Sequence, residues 1–485
     1  MIKTTLIEIL RALSKEELKR FSDFVNSPYF NKKTPVTKLF ELIKVYSPEF
    51  KSDNLDRKLV WNKLFPEKEF NYGVMKNLIY DLTKLIERFL EEELFAEDKY
   101  KRGIFLLNNL GSKDLNKILE SEYKTMYMKA ESAKHGPDKY ENLAVLKWTH
   151  YSLLDNMDKK NQENIYEIAE YTIYNFLITI FKIFNNIYAD TLMHREINYR
   201  SLPLEVLGEY DFGRLLESVK KNSEKDYKII SIYYDMYRAF KENASPESYY
   251  RFKNNLFEND LLLIDFERRN LFACLCTALT YNESLKNKPE ENCIIIKTMH
   301  EKNLITDTND EISIRDFSYG VRMSAMVNDT AFLEEFINTY LKKLRSSSVE
   351  NMKLYGAAYL YFAKGEFSKA LELTNKINFD LMTFKYELKN LQLMLFYEMK
   401  DFDSLIYAMD SYKHFATGNK YVSEAVRKKI FRLTGYLNQM IKLHDIPDKN
   451  KLNYLKEKIS NDTLNSKQWL IRKIDLIISD IVKNN

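Results

Sequence analysis

The chain is short of residues that break helices. Eleven glycines and nine prolines in 485 residues fall far below the roughly 7% and 5% of average proteins. Helix can therefore follow helix with little interruption. Asn-Gly and Asp-Gly turns between alternating β-branched runs are almost absent, which argues against extensive sheet. Cysteine is equally scarce: Cys274, Cys276 and Cys293 make no disulfide framework. Charge of one sign is also missing. A net +4 from 74 basic and 70 acidic residues gives no overall field for nucleic acid or membrane.

Long apolar runs are lacking too. The opening MIKTTLIEILRALSKEE holds no stretch of the kind a signal peptide needs, so a reducing cytoplasm is the expected location. The most apolar stretch, Tyr171 to Phe181 and the residues after it, carries Asn175, Asn185, Asn186 and Asp190. It falls short of 18 uninterrupted apolar residues and reads as a buried helix, not a membrane span.

Signatures of chemistry are absent as well. No HExxH, GxSxG or GxxxxGK[ST] occurs. The histidines, His135, His150, His194, His300, His414 and His444, have no second ligand at metal spacing. Cys274 and Cys276 sit two apart on an apolar helical run, about 200° from one another, and read as buried small hydrophobes. Acidic runs such as Glu91-Glu92-Glu93 and Glu334-Glu335 read as solvated helix faces. No catalytic residue, metal ligand or cofactor site is expected.

What the chain does contain is helical patterning and a 45% hydrophobic fraction, enough for a continuous core. In the first 95 residues Ser14 and Glu17 form a capping box, with Leu13 and Leu18 as a hydrophobic staple. That helix stops at Ser27-Pro28. Thr34-Pro35 opens a second helix. A short third carries Leu59, Val60 and Leu64 and stops at Pro66. A fourth starts near Asn71, with Val74, Met75, Leu78, Ile79, Leu82, Leu85, Ile86 and Phe89 on its apolar face. These four helices predict an N-terminal bundle over 1–95 that packs on the helix near Ile104 to Leu110. From 96 to 485 helices alternate with short polar breaks, the clearest at 132–138, 243–247 and 286–291.

The most telling segment is LYGAAYLYFAKGEFSKALELTNKI, from Leu354 to Ile377. Ala357, Ala358, Tyr361, Gly365, Phe367 and Ala370 fall at the spacings of a tetratricopeptide-type repeat. Its turn aligns with Lys400 to Leu405 at an offset of 35, which pairs Phe367 with Phe402 and Tyr361 with Phe396. It aligns with Asn328 to Leu333 at an offset of 37. The clearest repeats span about 316–415. A unit of this kind cannot bury its own apolar face and needs stacked neighbours. The expected fold is all-α: a tetratricopeptide-like superhelical solenoid with an N-terminal helical bundle.

The stretches LSKEELKRFSDFVNSPYFNK (13–32), LVWNKLFPEKEFN (59–71) and LKNLQLMLFYEMKDFDSLIYAMDSYKHF (388–415) resemble large helical proteins of Bacteroidetes-type bacteria. The resemblance implies a cytoplasmic protein with tetratricopeptide-like helices and brings no activity with it.

In the best repeat, analogy with such folds puts Met352, Tyr355, Tyr359 and Phe362 on a concave groove as partner-binding residues. The expected function is a non-catalytic cytoplasmic scaffold or adaptor for a protein or peptide segment. One alternative is a nucleic-acid-associated regulator that binds DNA through the bundle, whose residues 1–90 hold 17 basic and 12 acidic side chains. The other is an enzyme with an unrecognised site.

Overall fold

A computed structural model describes the chain apart from residues 1–3, 155–161, 195–201, 209, 242–244, 283, 286–287, 345–348, 378–381, 420–421, 423, 463, 465 and 485, and a few adjoining side chains. The expected breaks at 243–247 and 286–291, and the His194 side chain, lie wholly or partly outside the described residues. The protein is all-α: 82% is helix, in 24 α-helices among the described residues, and no strand occurs there. Two compact units are formed, Met1–Ser132 with Glu141–Ala169, and Ala133–Tyr140 with Glu170–Asn485. The first unit runs beyond residue 95.

The helices of the first unit begin with α1 (Thr5–Ala12), α2 (Lys15–Asn26), α3 (Thr34–Lys44), α4 (Arg57–Leu64) and α5 (Tyr72–Glu97). They share one core, from Leu6 through Phe21, Phe40 and Trp61 to Phe89. The bundle therefore has five helices where four were expected. The extra one, α1, has no side-chain cap bond at Thr4. The expected caps are in place. Ser14 Oγ accepts from the Glu17 amide at 3.1 Å, and Glu17 accepts from the Ser14 amide at 2.7 Å. Asn71 caps α5 by accepting from the Val74 amide at 3.0 Å. Next come α6 (Lys99–Gly111), α7 (Asn116–Ser132) and α8 (Lys139–Leu154). Helix α5 meets α6 near their junction, with Phe95 and Phe105 rings 5.6 Å apart, but Ile104, Leu107 and Leu110, where the bundle was expected to pack, lie outside the bundle core. Leu107, Leu110, Leu119 and Leu146 make a second small core.

Helix α9 (Gln162–His194) starts in the first unit and continues in the second. It buries Tyr174, Leu177, Phe181 and Phe184, but Ile173 and Phe176 remain exposed. No described helix is long and apolar enough to cross a membrane. The second unit continues with α10 (Leu202–Leu207), α11 (Phe212–Asn222), α12 (Glu224–Lys241), α13 (Pro246–Asn259), α14 (Asp265–Tyr281) and α15 (Lys288–Glu301). Four antiparallel pairs follow: α16 (Ile314–Met326) with α17 (Thr330–Tyr340), α18 (Val349–Ala363) with α19 (Phe367–Lys376), α20 (Met382–Glu398) with α21 (Phe402–Gly418), and α22 (Glu424–Asp445) with α23 (Lys449–Ser460). Helix α24 (Lys467–Asn484) comes last. From α11 to α24 the main packing is between neighbours in the chain, with α12 on α14 and α16 on α18 as next-neighbour pairs.

Three of these hairpins close in the same way, at the offsets read from the sequence. Asn328, Gly365 and Lys400 all have positive φ, 58°, 78° and 58°. Gly365 donates to Phe362 O at 3.1 Å and Glu366 to Tyr361 O at 2.9 Å. Lys400 and Asp401 repeat these bonds to Tyr397 and Phe396, and Asn328 and Asp329 to Ala325 and Ser324. This is the paired bonding of a Schellman turn, which satisfies the last carbonyls of a helix through one left-handed residue. Gly365 takes that conformation without a Cβ penalty. Asp329 and Asp401 then cap the next helix, each accepting an amide at 3.1 Å.

The expected packing residues sit in or against one core that runs from Cys293 to Ile474. Ala358 and Ala370 are fully buried, and Tyr361, Phe367, Phe396 and Phe402 are half-buried against it. Ala357 is half-buried and Gly365 exposed. A closer approach lies elsewhere: a Cβ on Gly320 of α16 would come 2.2 Å from the Phe336 ring of α17. The ring is itself buried and has nowhere cheap to move. Gly320→Ala is therefore expected to destabilise by roughly 1–2 kcal/mol. Overpacking of about 1–3 kcal/mol outweighs the gain of about 1 kcal/mol in helix propensity. A urea titration reads the difference, and an unchanged midpoint would mean the two helices sit farther apart.

Candidate functional site

The four residues expected on an open groove are not exposed. Met352, Tyr355, Tyr359 and Phe362 are at most 7% accessible. The chain itself uses them. The Tyr355 hydroxyl donates to Glu387 Oε2 of α20 at 2.8 Å. Arg322 of α16 pairs with Glu387 Oε1 and stacks its guanidinium 5.9 Å from the Tyr319 ring. Tyr355 and Tyr359 rings lie 4.8 Å apart. Burial, with the neighbouring Tyr359 and Glu387, holds the Tyr355 phenol well above its usual range, so it stays a donor. A buried Arg-Glu-Tyr network thus joins α16, α18 and α20. Helical spacing showed that these side chains share a face; it could not show that other helices of the chain cover that face.

A second polar cluster is deep in the same unit. Glu267 accepts from Lys182 at 2.9 Å and from the Tyr233 hydroxyl. Asn185 donates to Cys274 Sγ at 3.6 Å. Burial pushes the Cys274 thiol up to about 11 and the Cys276 thiol to about 12, which keeps both protonated at neutral pH. The His135 ring lies beside Tyr140 and Tyr233, and neither of its nitrogens has a hydrogen-bond partner. Burial, then Lys182 and Lys139, drive its pKa down to about 3. Perturbed groups of this kind often mark active sites. Here His135, Tyr140, Tyr233 and Glu267 are all 1% accessible or less, so a substrate has no approach to them in this conformation. Three of the other described histidines have local partners. His150 stacks on Tyr123 at 3.6 Å, His300 bonds Tyr340 at 2.8 Å, and His444 packs by Phe402. Exposed His414 is the exception among them, with no side-chain partner described. Among the described residues no group of three His, Cys, Asp or Glu side chains could hold a metal.

Some of the basic residues of the bundle are paired. Lys84 meets Glu87, Arg20 meets Glu93, and Lys33 meets Asp81. Arg88 lies over the Phe30 ring at 5.0 Å. Phosphates would have to compete with these partners.

An open site does exist on the α20–α21 hairpin. A cleft of about 450 Å³ is lined by Lys389, Gln392, Leu393 and Phe396 of α20, and by Asp403, Ser404, Tyr407, Ala408 and Ser411 of α21, with Asn375 of α19 at its edge. Both stripes run at i, i+3/i+4, i+7, which is why they face one another across an antiparallel pair. Gln392 is held by Asn375 Oδ1 at 3.1 Å and Thr374 Oγ1 at 3.3 Å. Leu393, Phe396 and Ala408 make the floor. Tyr407, 79% accessible, stands at the rim beside exposed Ile406. Lys389 is half-buried, 5.4 Å from the Phe415 ring and 5.9 Å from the Tyr412 ring, and no ion pair to it occurs among the described residues. Burial lowers its pKa. Of these residues only Phe396 was singled out from sequence, and then for packing. The signal available was the Lys389-Leu393-Phe396 spacing, which also fits an ordinary solvated helix edge.

The fold and the cleft together define a class, an all-helical protein with helical hairpins and an open surface cleft. No protein-family model matches the chain, and neither a curated protein nor a solved structure does.

Proposed function

We propose that the chain is a non-catalytic scaffold or adaptor, a tetratricopeptide-like solenoid of the cytoplasm that grips a protein or peptide segment. The recurrence of one hairpin turn at Asn328, Gly365 and Lys400 carries the reading. A repeated hairpin is a device for building extended surface, and its conserved parts are packing and turn residues. The grip falls on the cleft over α20 rather than on Tyr355 and Tyr359, because the latter are spent on the chain's own network. A pre-formed cleft with an aromatic rim binds a segment with little reorganisation. The free cysteines suit a reducing compartment.

Selection of a random displayed-peptide library on the full chain tests this. A shared motif is expected to be enriched, and mass spectrometry is expected to recover the enriched peptides unaltered. No enrichment over a helical protein of matched charge would overturn the reading.

A further inference from the structure

Most buried or half-buried cations of the second unit have found an acid: Lys182 has Glu267, Arg268 has Asp260, Lys253 has Glu291 and Lys473 has Glu398. Lys389 has two aromatic faces instead, and its side chain lines the cleft. A desolvated cation without a counter-ion is costly to keep, and the cost falls when an anion arrives. The far end of the cleft carries Asp403, which repels an anion there and so sets the direction in which a ligand lies. Between them the floor of Leu393, Phe396 and Ala408 is apolar. Lys389 and Phe396 are two turns apart on α20, roughly 10 Å at 1.5 Å per residue. An extended chain covers that in about three residues.

We infer that the cleft binds an extended peptide through a carboxylate held by Lys389, with an apolar side chain two or three residues away on the Leu393-Phe396-Ala408 floor. The inference rests on the scaffold reading and adds the ligand chemistry and the site. Tyr407 closes over the peptide backbone, and Ser404 and Ser411 are placed to bond its amides and carbonyls.

Fluorescence polarisation tests it with labelled five-residue peptides. One is Ser-Glu-Leu-Leu-Ser with a blocked C-terminus. The second replaces Glu with Gln. The third keeps Gln and has a free C-terminal carboxylate. Binding of the first or third, with the second weaker by on the order of ten- to a hundredfold, is expected, and which of the two binds tells a side-chain carboxylate from a terminal one. Lys389→Met is expected to lose the same factor and Lys389→Arg to keep binding. Lys389→Glu is expected to prefer a peptide with Lys in place of Glu. Equal binding of the Gln control, unchanged affinity in Lys389→Met, or no binding of any peptide at millimolar concentration would overturn the inference. The library selection repeated on Lys389→Met separates the two levels. If both proteins enrich the same motif, the scaffold reading stands and the Lys389 site falls; if neither enriches anything, both fall.

Discussion

Replacing Glu387 with alanine is expected to lower the stability of the second unit by about 3–5 kcal/mol. Among the described residues Glu387 is the one acid paired with the Arg322 guanidinium, and it also takes the Tyr355 hydroxyl. The Arg322 side chain is 15% accessible and that of Glu387 8%, so water cannot replace the lost carboxylate. Arg322 Nε is already without a hydrogen-bond partner among the described residues. The loss is one of an unpaired buried charge, not of the pair's own worth. The double variant Arg322→Met with Glu387→Met is therefore expected to recover most of the stability, because an apolar pair of similar volume removes the stranded charge. Guanidinium titrations of the two single variants and the double variant give the coupling. A Glu387→Ala change of less than about 1 kcal/mol would mean that the network is solvated.

Acid is expected to destabilise the protein well before the carboxylates titrate, through His135. In the unfolded chain its imidazole has the ordinary value of 6.5; folded, buried beside Tyr140 and Tyr233 with Lys182 and Lys139 nearby, it is held at about 3. The unfolded state therefore binds the proton first. The contribution of this residue is complete above pH 6.5 and is lost as pH falls from 6.5 towards 3, by roughly 2 kcal/mol at pH 5. His135→Leu removes the titrating group. Its stability is expected to be flat between pH 7 and 5, where the parent falls. The difference between the two melting midpoints across that range is the measurement, and parallel curves would mean that the ring reaches water.

How far the fold could be read beforehand depended on where each signal lay along the chain. Scarce glycine and proline announced helix throughout. The capping box at Ser14 and Glu17 and the Asn71 cap are local, within four residues, and were legible. So was the turn at Gly365, repeated at Asn328 and Lys400. Helix α1 was missed because it is only eight residues long and its Thr4 makes no side-chain cap bond. The partner of Tyr355 lies 32 residues away, and no pattern within α18 points to Glu387. The same holds for Gly320, whose reason is the Phe336 ring on the next helix. The Lys389 site is a relation between two helix faces and the absence of an acid, and an absence of that kind is visible only once the side chains are placed.

Helix α24 is tied to places far back in the chain. Arg472 donates to Met326 O at 2.6 Å, 146 residues away, and Trp469 and Lys473 both donate to Glu398. Trp469 also stands edge-on to Tyr397 at 5.4 Å. Stacked hairpins that touch only their neighbours peel away singly when the end of the stack is pulled. A load applied through α24 is instead shared at once between the ends of α16 and α20, with α18 to α20 enclosed between the anchors. These hairpins are expected to yield together, in one large step, in a single-molecule pulling experiment. That mechanical unity is gained late, because the anchor on α16 must wait for a chain some 140 residues longer before its partner is made.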